Sequence, residues 1–285
     1  MTPSRPASRA EVREGQLAAA PRARRSDVAR QIAVCAAVLF AMVCGLFGSG
    51  LLGGGISEAQ GGALDADATL FAPGRPAFSI WSVIYLGLIG YAVWQALPQQ
   101  RAAGRQRSVG WWIAATAVLN GLWVLVALLA PLPATVAVMV LLLATLCVTF
   151  HRVVLTAEVR STWTDLVLID GVTGLHLGWV SVATVANVAA WLQLIVHGDL
   201  GGAEGWIAVG MLGALLVIGL TTSAVTQWRV APPWAMAWGA VWIGTERLSG
   251  LPFSPLVGWT AIGVAVVLFA VPLVLRIAVA LRSGD

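Results

Sequence analysis

The sequence predicts an all-α integral membrane protein with eight transmembrane helices and both termini in the cytoplasm. Hydrophobic residues make up 59% of the chain and charged residues only 11%, which lies outside the range of soluble domains. Several apolar runs reach the roughly 20 residues that a helix needs to cross a bilayer. The net charge of +4 does not indicate nucleic-acid binding, because the arginines lie mainly in the N-terminal segment and in short loops, where they orient helices and meet lipid headgroups.

The elements follow in order along the chain. Residues 1–29 are rich in Arg, Ala, Ser and Pro without apolar periodicity, which predicts a disordered cytoplasmic tail. The run Ile32–Leu52 is too long for the core of a signal peptide and is predicted to be the first span. At about 15 residues, segment 232–246 is short for a crossing, and a re-entrant hairpin is the alternative. The spans after the first are predicted at 77–97, 109–130, 134–155, 164–195, 206–227, 232–246 and 256–280.

The arginines set the predicted orientation in the cell membrane. With the tail inside, every arginine except Arg75 and Arg247 falls on the cytoplasmic side. Loops rich in arginine stay in the cytoplasm, so this distribution favours the proposed topology. A re-entrant segment 232–246 would turn Arg276 and Arg282 outward, which favours a full crossing there.

One long loop, Ile56–Pro76, joins the first two spans on the outer side. Long loops in compact proteins are often functional lids, and a solvated connector is the equal alternative. The three cysteines, Cys35, Cys44 and Cys147, lie inside apolar runs, so we expect packing roles without disulfides or a metal site.

Tryptophans and amides inside the spans are the first candidates for function. The chain has 14 tryptophans, and aromatic belts explain those near span ends. Trp123 lies on one helix face with Asn120, and Asn187 shares a face with Trp191, because residues three or four apart are helical neighbours. An amide in hydrocarbon must find partners, so each asparagine faces either a pocket or a neighbouring helix that it hydrogen-bonds.

The fifth span contains the richest polar content, including Asp170 and His176. Ionisable residues within a membrane are functional candidates, although Asp170 can also pair with Arg160 or Arg101, and His176 with a nearby hydroxyl or carbonyl. These two residues leave open a proton-coupled transporter, and His176 alone leaves open acid–base catalysis. Because no soluble catalytic motif is present, we expect no enzyme. Gly174 and Gly178 form a small-xxx-small pair that lets another helix approach closely.

Three segments together resemble the TspO/MBR family, which comprises bacterial tryptophan-rich sensory proteins and the mitochondrial translocator protein. Residues 73–85 are similar to its proline-containing loop that runs into an aromatic second helix. Residues 118–123 are similar to the Leu-Asn-x-x-Trp motif of the third helix. Residues 177–191 are similar to the fifth-helix pattern Leu-Ala-Trp…Ala…Asn…Trp.

The resemblance implies a five-helix bundle at 30–196 whose pocket binds a planar hydrophobic ligand, tetrapyrrole-like or sterol-like, as sensor, regulator or carrier. It also implies a homodimer and no cofactor beyond a bound tetrapyrrole as ligand. Residues 197–285 form a three-helix extension. The matching positions, with Phe78 from the first segment and His176 from the fifth span, give the predicted ligand contacts: Phe78, Trp81, Tyr85, Asn120, Trp123, His176, Trp179, Ala183 and Asn187.

Overall fold

The computed structural model describes residues 23–51, 53–157, 162–196 and 202–282, which form helices and loops without β-strands. Seven helices in these ranges are long and apolar enough to cross a membrane, which confirms the predicted fold class. The orientation of the termini stays a prediction. The eight long helices are α1 (Arg25–Gly48), α2 (Ile80–Ala96), α3 (Gly104–Leu129), α4 (Leu132–Leu155), α5 (Trp163–Ile195), α6 (Ala203–Val225), α7 (Ala231–Ser249) and α8 (Pro255–Arg282).

The helix that falls outside the seven is α7, which the sequence marked as the weakest span. It has 19 residues, so at about 1.5 Å per residue it is close to the thickness of the hydrocarbon core. Its apolar content is lower because it starts with Pro232 and Pro233 and ends with Glu246 and Arg247. Since α7 packs against both α5 and α8, protein instead of lipid covers much of its surface.

The bundle has two cores that meet at α5. In the first, α1 packs on α3, α3 on α4, and α4 on α5, while α2 contacts α1 and α5. In the second, α7 packs on α5 and α8, and α6 packs on α8 and α7. The predicted extension is therefore not an appendage at the end of the bundle, because it is attached along the length of α5.

The contact between α5 and α7 depends on the predicted small-xxx-small pair. A Cβ atom on Gly178 would lie 2.1 Å from the carbonyl oxygen of Pro232, and one on Gly174 would lie 2.7 Å from the Cβ of Ala231. From the other side, a Cβ on Gly239 would lie 2.8 Å from the Cγ1 of Val182. Glycine is therefore required for the two backbones to approach so closely.

The start of α1 differs from the prediction. The helix begins at Arg25, inside the segment predicted as disordered tail, and residues 1–22 of that tail lie outside the described residues. Asp27 explains the earlier start, because its carboxylate accepts a hydrogen bond from the backbone N–H of Arg24 at 2.8 Å. The same carboxylate lies 2.6 Å from Arg107 of α3, which ties the first turn to the bundle.

Asp170 has other partners than those predicted. Its carboxylate lies 2.5 Å from the guanidinium of Arg105 on α3 and also pairs with Arg229, which precedes α7. Arg101 instead donates to the side chain of Gln31, and Arg160 lies outside the described residues. The π-helical segment Leu166–Gly171 contains Asp170, and the mostly buried carboxylate joins the two cores at the predicted cytoplasmic end.

We expect Gly178→Ala to destabilise the bundle, because its methyl group would clash with the Pro232 carbonyl, and overpacking costs about 1–3 kcal/mol. Thermal unfolding in detergent measures the effect. Gly213→Ala is the matched control, since a Cβ there meets nothing within 4 Å and alanine favours the helix. Equal melting temperatures for the two variants would show that the α5–α7 contact is not close.

We also expect Asp170→Asn to destabilise the protein by about 3–5 kcal/mol, because it takes the shared carboxylate from the buried guanidinium of Arg105 and the partly buried one of Arg229. Asp65→Asn is the control. It breaks an ion pair with the exposed Arg75, and such surface pairs contribute about 0–1 kcal/mol. Denaturant unfolding of both variants tests the difference, and a similar small loss for both would contradict a structural role for Asp170.

Candidate ligand-binding site

A cluster of aromatic rings lies between α2 and α5. Trp81 stacks on Tyr85 of the next turn, and their ring centroids lie 5.4 Å apart. Trp81 also makes edge-to-face contacts with His176 and Trp179, at centroid distances of 5.7 and 6.3 Å. Phe78, in the 3₁₀ turn Arg75–Ser79 that leads into α2, meets Trp179 at 5.7 Å. Such edge-to-face and offset arrangements are favourable between aromatic rings, so these contacts stabilise the packing of α2 against α5.

The two asparagines of the spans, Asn120 and Asn187, lie close to this cluster. Tyr85 Oη donates a hydrogen bond of 2.9 Å to Asn120 Oδ1 on α3. Asn187 Nδ2 donates at 2.8 Å to the carbonyl of Ala183, one turn earlier on α5. Each amide therefore uses one polar atom, and the other stays unpaired within the described structure: Asn120 Nδ2 and Asn187 Oδ1.

Further buried polar atoms near these amides also lack partners among the described residues. They are the indole Nε1 atoms of Trp123 and Trp179, His176 Nε2 and the hydroxyl of Thr69. Buried polar groups are nearly always hydrogen-bonded, and each unpaired one costs about 1–3 kcal/mol. Their concentration in one region indicates a site whose polar partners come from a bound molecule or water.

A small cavity lies where Trp81, Trp123, Trp179 and Asn187 meet. Its volume is about 40 Å³, enough for a water-sized group, whereas pockets for drug-sized ligands measure about 300–1,000 Å³. The site is therefore closed in this structure. A tetrapyrrole or sterol needs a displacement of at least one wall.

The nine predicted contacts fall into two groups. Tyr85, Asn120 and His176 lie behind the cavity wall, where they contact Trp81 or each other. The remaining six line the cavity directly: Phe78, Trp81, Trp123, Trp179, Ala183 and Asn187. As contacts to a ligand, all nine remain predictions.

The wall that the sequence did not predict comes from the long loop after α1. Asp65, Thr69, Ala72 and Pro73 line the cavity, together with Ile56, Ala63 and Leu64. In the sequence, only the length of this loop and its position on the outer side indicated that it could be a lid over the site. Arg75 binds Asp65 through two hydrogen bonds of 2.6 and 3.0 Å, and its guanidinium lowers the pKa of that carboxyl.

Helix α7 holds this loop in place. The indole N–H of Trp238 donates to the carbonyl of Ala77 at 2.8 Å, and the backbone N–H of Gly74 donates to the carbonyl of Trp242 at 3.2 Å. About 165 residues separate these partners in the sequence, a distance across which periodicity carries no information. Among the described residues, no group of three or more His, Cys, Asp or Glu side chains is arranged to hold a metal ion.

Comparison with known proteins agrees with this architecture. The family model described as TSPO-like protein matches residues 31–274, from α1 to most of α8. The match therefore extends beyond the three short segments that carried the resemblance, and includes the C-terminal helices. No curated protein and no solved structure matches the chain.

Proposed function

The chain belongs to the TSPO-like protein family, and from that premise we propose that it binds a planar hydrophobic ligand inside the membrane. The ligand is of the tetrapyrrole or sterol kind, and the protein acts as sensor, regulator or carrier. The observation that carries the proposal is that four residues lining one cavity with aromatic walls each have a buried, unpaired polar atom within the described structure: Thr69, Trp123, Trp179 and Asn187.

The chemistry of the cavity suits a flat apolar body with a few polar atoms. Indole and phenyl rings offer faces and edges to a conjugated or fused ring system. The N–H groups of Trp123 and Trp179 would donate to a ligand oxygen, such as a carboxylate or carbonyl. The free Oδ1 of Asn187 would accept from a ligand N–H or hydroxyl, so that a few polar contacts fix the orientation.

Ligand admission needs movement of the loop that forms one wall. Residues from Ile56 to Pro73 line the cavity, and the enclosed volume of about 40 Å³ is far below that of a typical ligand pocket. These two facts favour the lid hypothesis over the solvated connector. Lids of this kind exclude water once a ligand is bound.

We propose a binding role without catalysis. A general acid or base must lie within hydrogen-bonding reach of the proton that it transfers, and His176 does not line the cavity where the ligand would bind. His176 meets the ring of Trp81, and its Nε2 has no partner among the described residues. The transporter alternative relied on Asp170 and His176, and two guanidinium groups hold the carboxylate of Asp170. The homodimer and the cytoplasmic membrane stay predictions.

Tryptophan fluorescence of the purified protein, titrated with protoporphyrin, tests the proposal. We expect saturable quenching whose affinity falls at least about tenfold in Trp123→Ala/Trp179→Ala, because the variant loses two aromatic walls and two donors. Trp206→Ala/Trp259→Ala is the matched control, since each of these indoles is 67% exposed on the surface. Equal affinities for the two double variants would remove the pocket from the proposal.

Trp123→Phe and Trp179→Phe separate hydrogen bonding from stacking in the same titration. Each variant keeps a six-membered aromatic ring and loses the indole N–H together with the five-membered ring that carries it. We expect roughly a two- to tenfold loss of affinity for each, the worth of one net hydrogen bond. Unchanged affinity in both would mean that the ligand does not use these donors.

A further inference from the structure

We propose that Arg247 of α7 is a positioning residue that holds the loop wall shut, and that its release joins the small cavity to a larger one beside α6. The inference rests on the proposed function, because it explains how a closed site admits its ligand. It assigns the C-terminal helices a role in ligand access.

The side chain of Arg247 donates hydrogen bonds to backbone carbonyls of the loop. Its side chain is 0% exposed. One terminal nitrogen donates to the carbonyl of Thr69 at 2.8 Å, and the other donates to the carbonyls of Ala66 at 2.7 Å and Leu251 at 2.8 Å. Hydrogen bonds from a charged donor are about twice as strong as neutral ones, so the contacts to Thr69 and Ala66 fix the loop backbone whatever side chains it carries.

The segment that Arg247 holds separates two cavities. Thr69 lines the 40 Å³ cavity and also a second cavity of about 890 Å³. Apolar side chains of Leu192, Ile207 and Met211, at the ends of α5 and α6, contribute to the second cavity. Displacement of Ala66–Ala72 would therefore join the two spaces and give a volume in the range of ligand pockets.

Two features identify this segment as a movable partition. The hydroxyl of Thr69 is buried and unpaired within the described structure, as expected for a group that changes partners. The segment also has no helix or strand, so it is held by the hydrogen bonds of Arg247 and by Phe71, which is 1% exposed and packs in the second core. Arg247 then sets the equilibrium between closed and open wall.

Cysteine labelling tests the latch without any ligand. In a background where Cys35, Cys44 and Cys147 are replaced, Ala190→Cys places a thiol in the small cavity, at a position that is 5% exposed. We expect Arg247→Gln to raise the labelling rate of the thiol at position 190 at least about tenfold, because two charged hydrogen bonds to the carbonyls of the loop are lost. Arg247→Lys keeps the charge with a smaller donor group and should give an intermediate rate.

Arg75→Gln is the matched control. It removes an arginine that binds the same loop, but its side chain is 74% exposed and its partner, Asp65, belongs to the loop itself. We expect the labelling rate to change by less than about twofold. Two outcomes would overturn the latch. In the first, the cysteine at position 190 is labelled as slowly in Arg247→Gln and Arg247→Lys as in the parent. In the second, it is labelled as fast in Arg75→Gln as in Arg247→Gln.

A disulfide gives a second test that does not depend on the folding of Arg247 variants. A Cβ on Gly74 would lie 3.5 Å from the Cβ of Glu246, within the range of about 3.5–4.5 Å for disulfides. We expect Gly74→Cys/Glu246→Cys, when oxidised, to bind protoporphyrin at least about tenfold more slowly than after reduction, because the loop is tied to α7. Glu246→Cys alone should not respond to reduction.

The two arms separate the failure of the latch from that of the proposed function. Equal binding rates in the oxidised and reduced double variant would overturn the latch while leaving the ligand site in place. Faster labelling in Arg247→Gln, together with no protoporphyrin binding in any form, would support the latch and overturn this ligand class.

Discussion

The close contact between α5 and α7 is the interaction on which the site depends. Gly174 and Gly178 allow the two backbones to approach, and the neighbouring face of α5 carries Trp179, Ala183 and Asn187 into the cavity. Because α7 is fixed along α5, its far end reaches the loop that closes the cavity. A change in the glycine contact would therefore alter both the second core and the wall of the site.

The hydrogen bonding of buried polar side chains differs between the candidate site and the predicted cytoplasmic end of the bundle. At the predicted cytoplasmic end, Gln31 donates to the carbonyl of Gln95 at 2.7 Å and Arg30 to that of Arg101 at 3.0 Å, while Asp170 binds two arginines. Hydrocarbon offers no hydrogen bonds, so such pairing is expected. Single atoms at that end, such as Arg30 Nε and Gln106 Nε2, lack a partner, but each of these side chains makes another hydrogen bond. Around the cavity, in contrast, the indole N–H groups of Trp123 and Trp179, the only polar group that each side chain has, are unpaired within the described structure. This contrast is the physical basis for assigning a ligand to that place.

The C-terminal helices complete the binding unit. They supply Trp238, Trp242 and Arg247, which hold the loop, and they form a larger cavity on its other side. The family match, over residues 31–274, covers most of this region, so the structural unit of the family includes helices from α1 to α8. In the proposed function, ligand occupancy would be coupled to the position of α7, because the same loop lines the candidate site and contacts that helix.

The sequence by itself determined the membrane class and, except at the start of α1, the spans to within a few residues. These properties depend on hydropathy and on helical spacing, which are local. The resemblance of short motifs to the TspO/MBR family added Trp81, Trp123, Trp179 and Asn187, which line the cavity. The pairing of Asp170 with Arg105 and Arg229, the loop wall, and the size of the cavity were decided only by the tertiary structure. The partner of a buried charge and the volume between helices depend on how separate helices pack, and no local pattern encodes that arrangement.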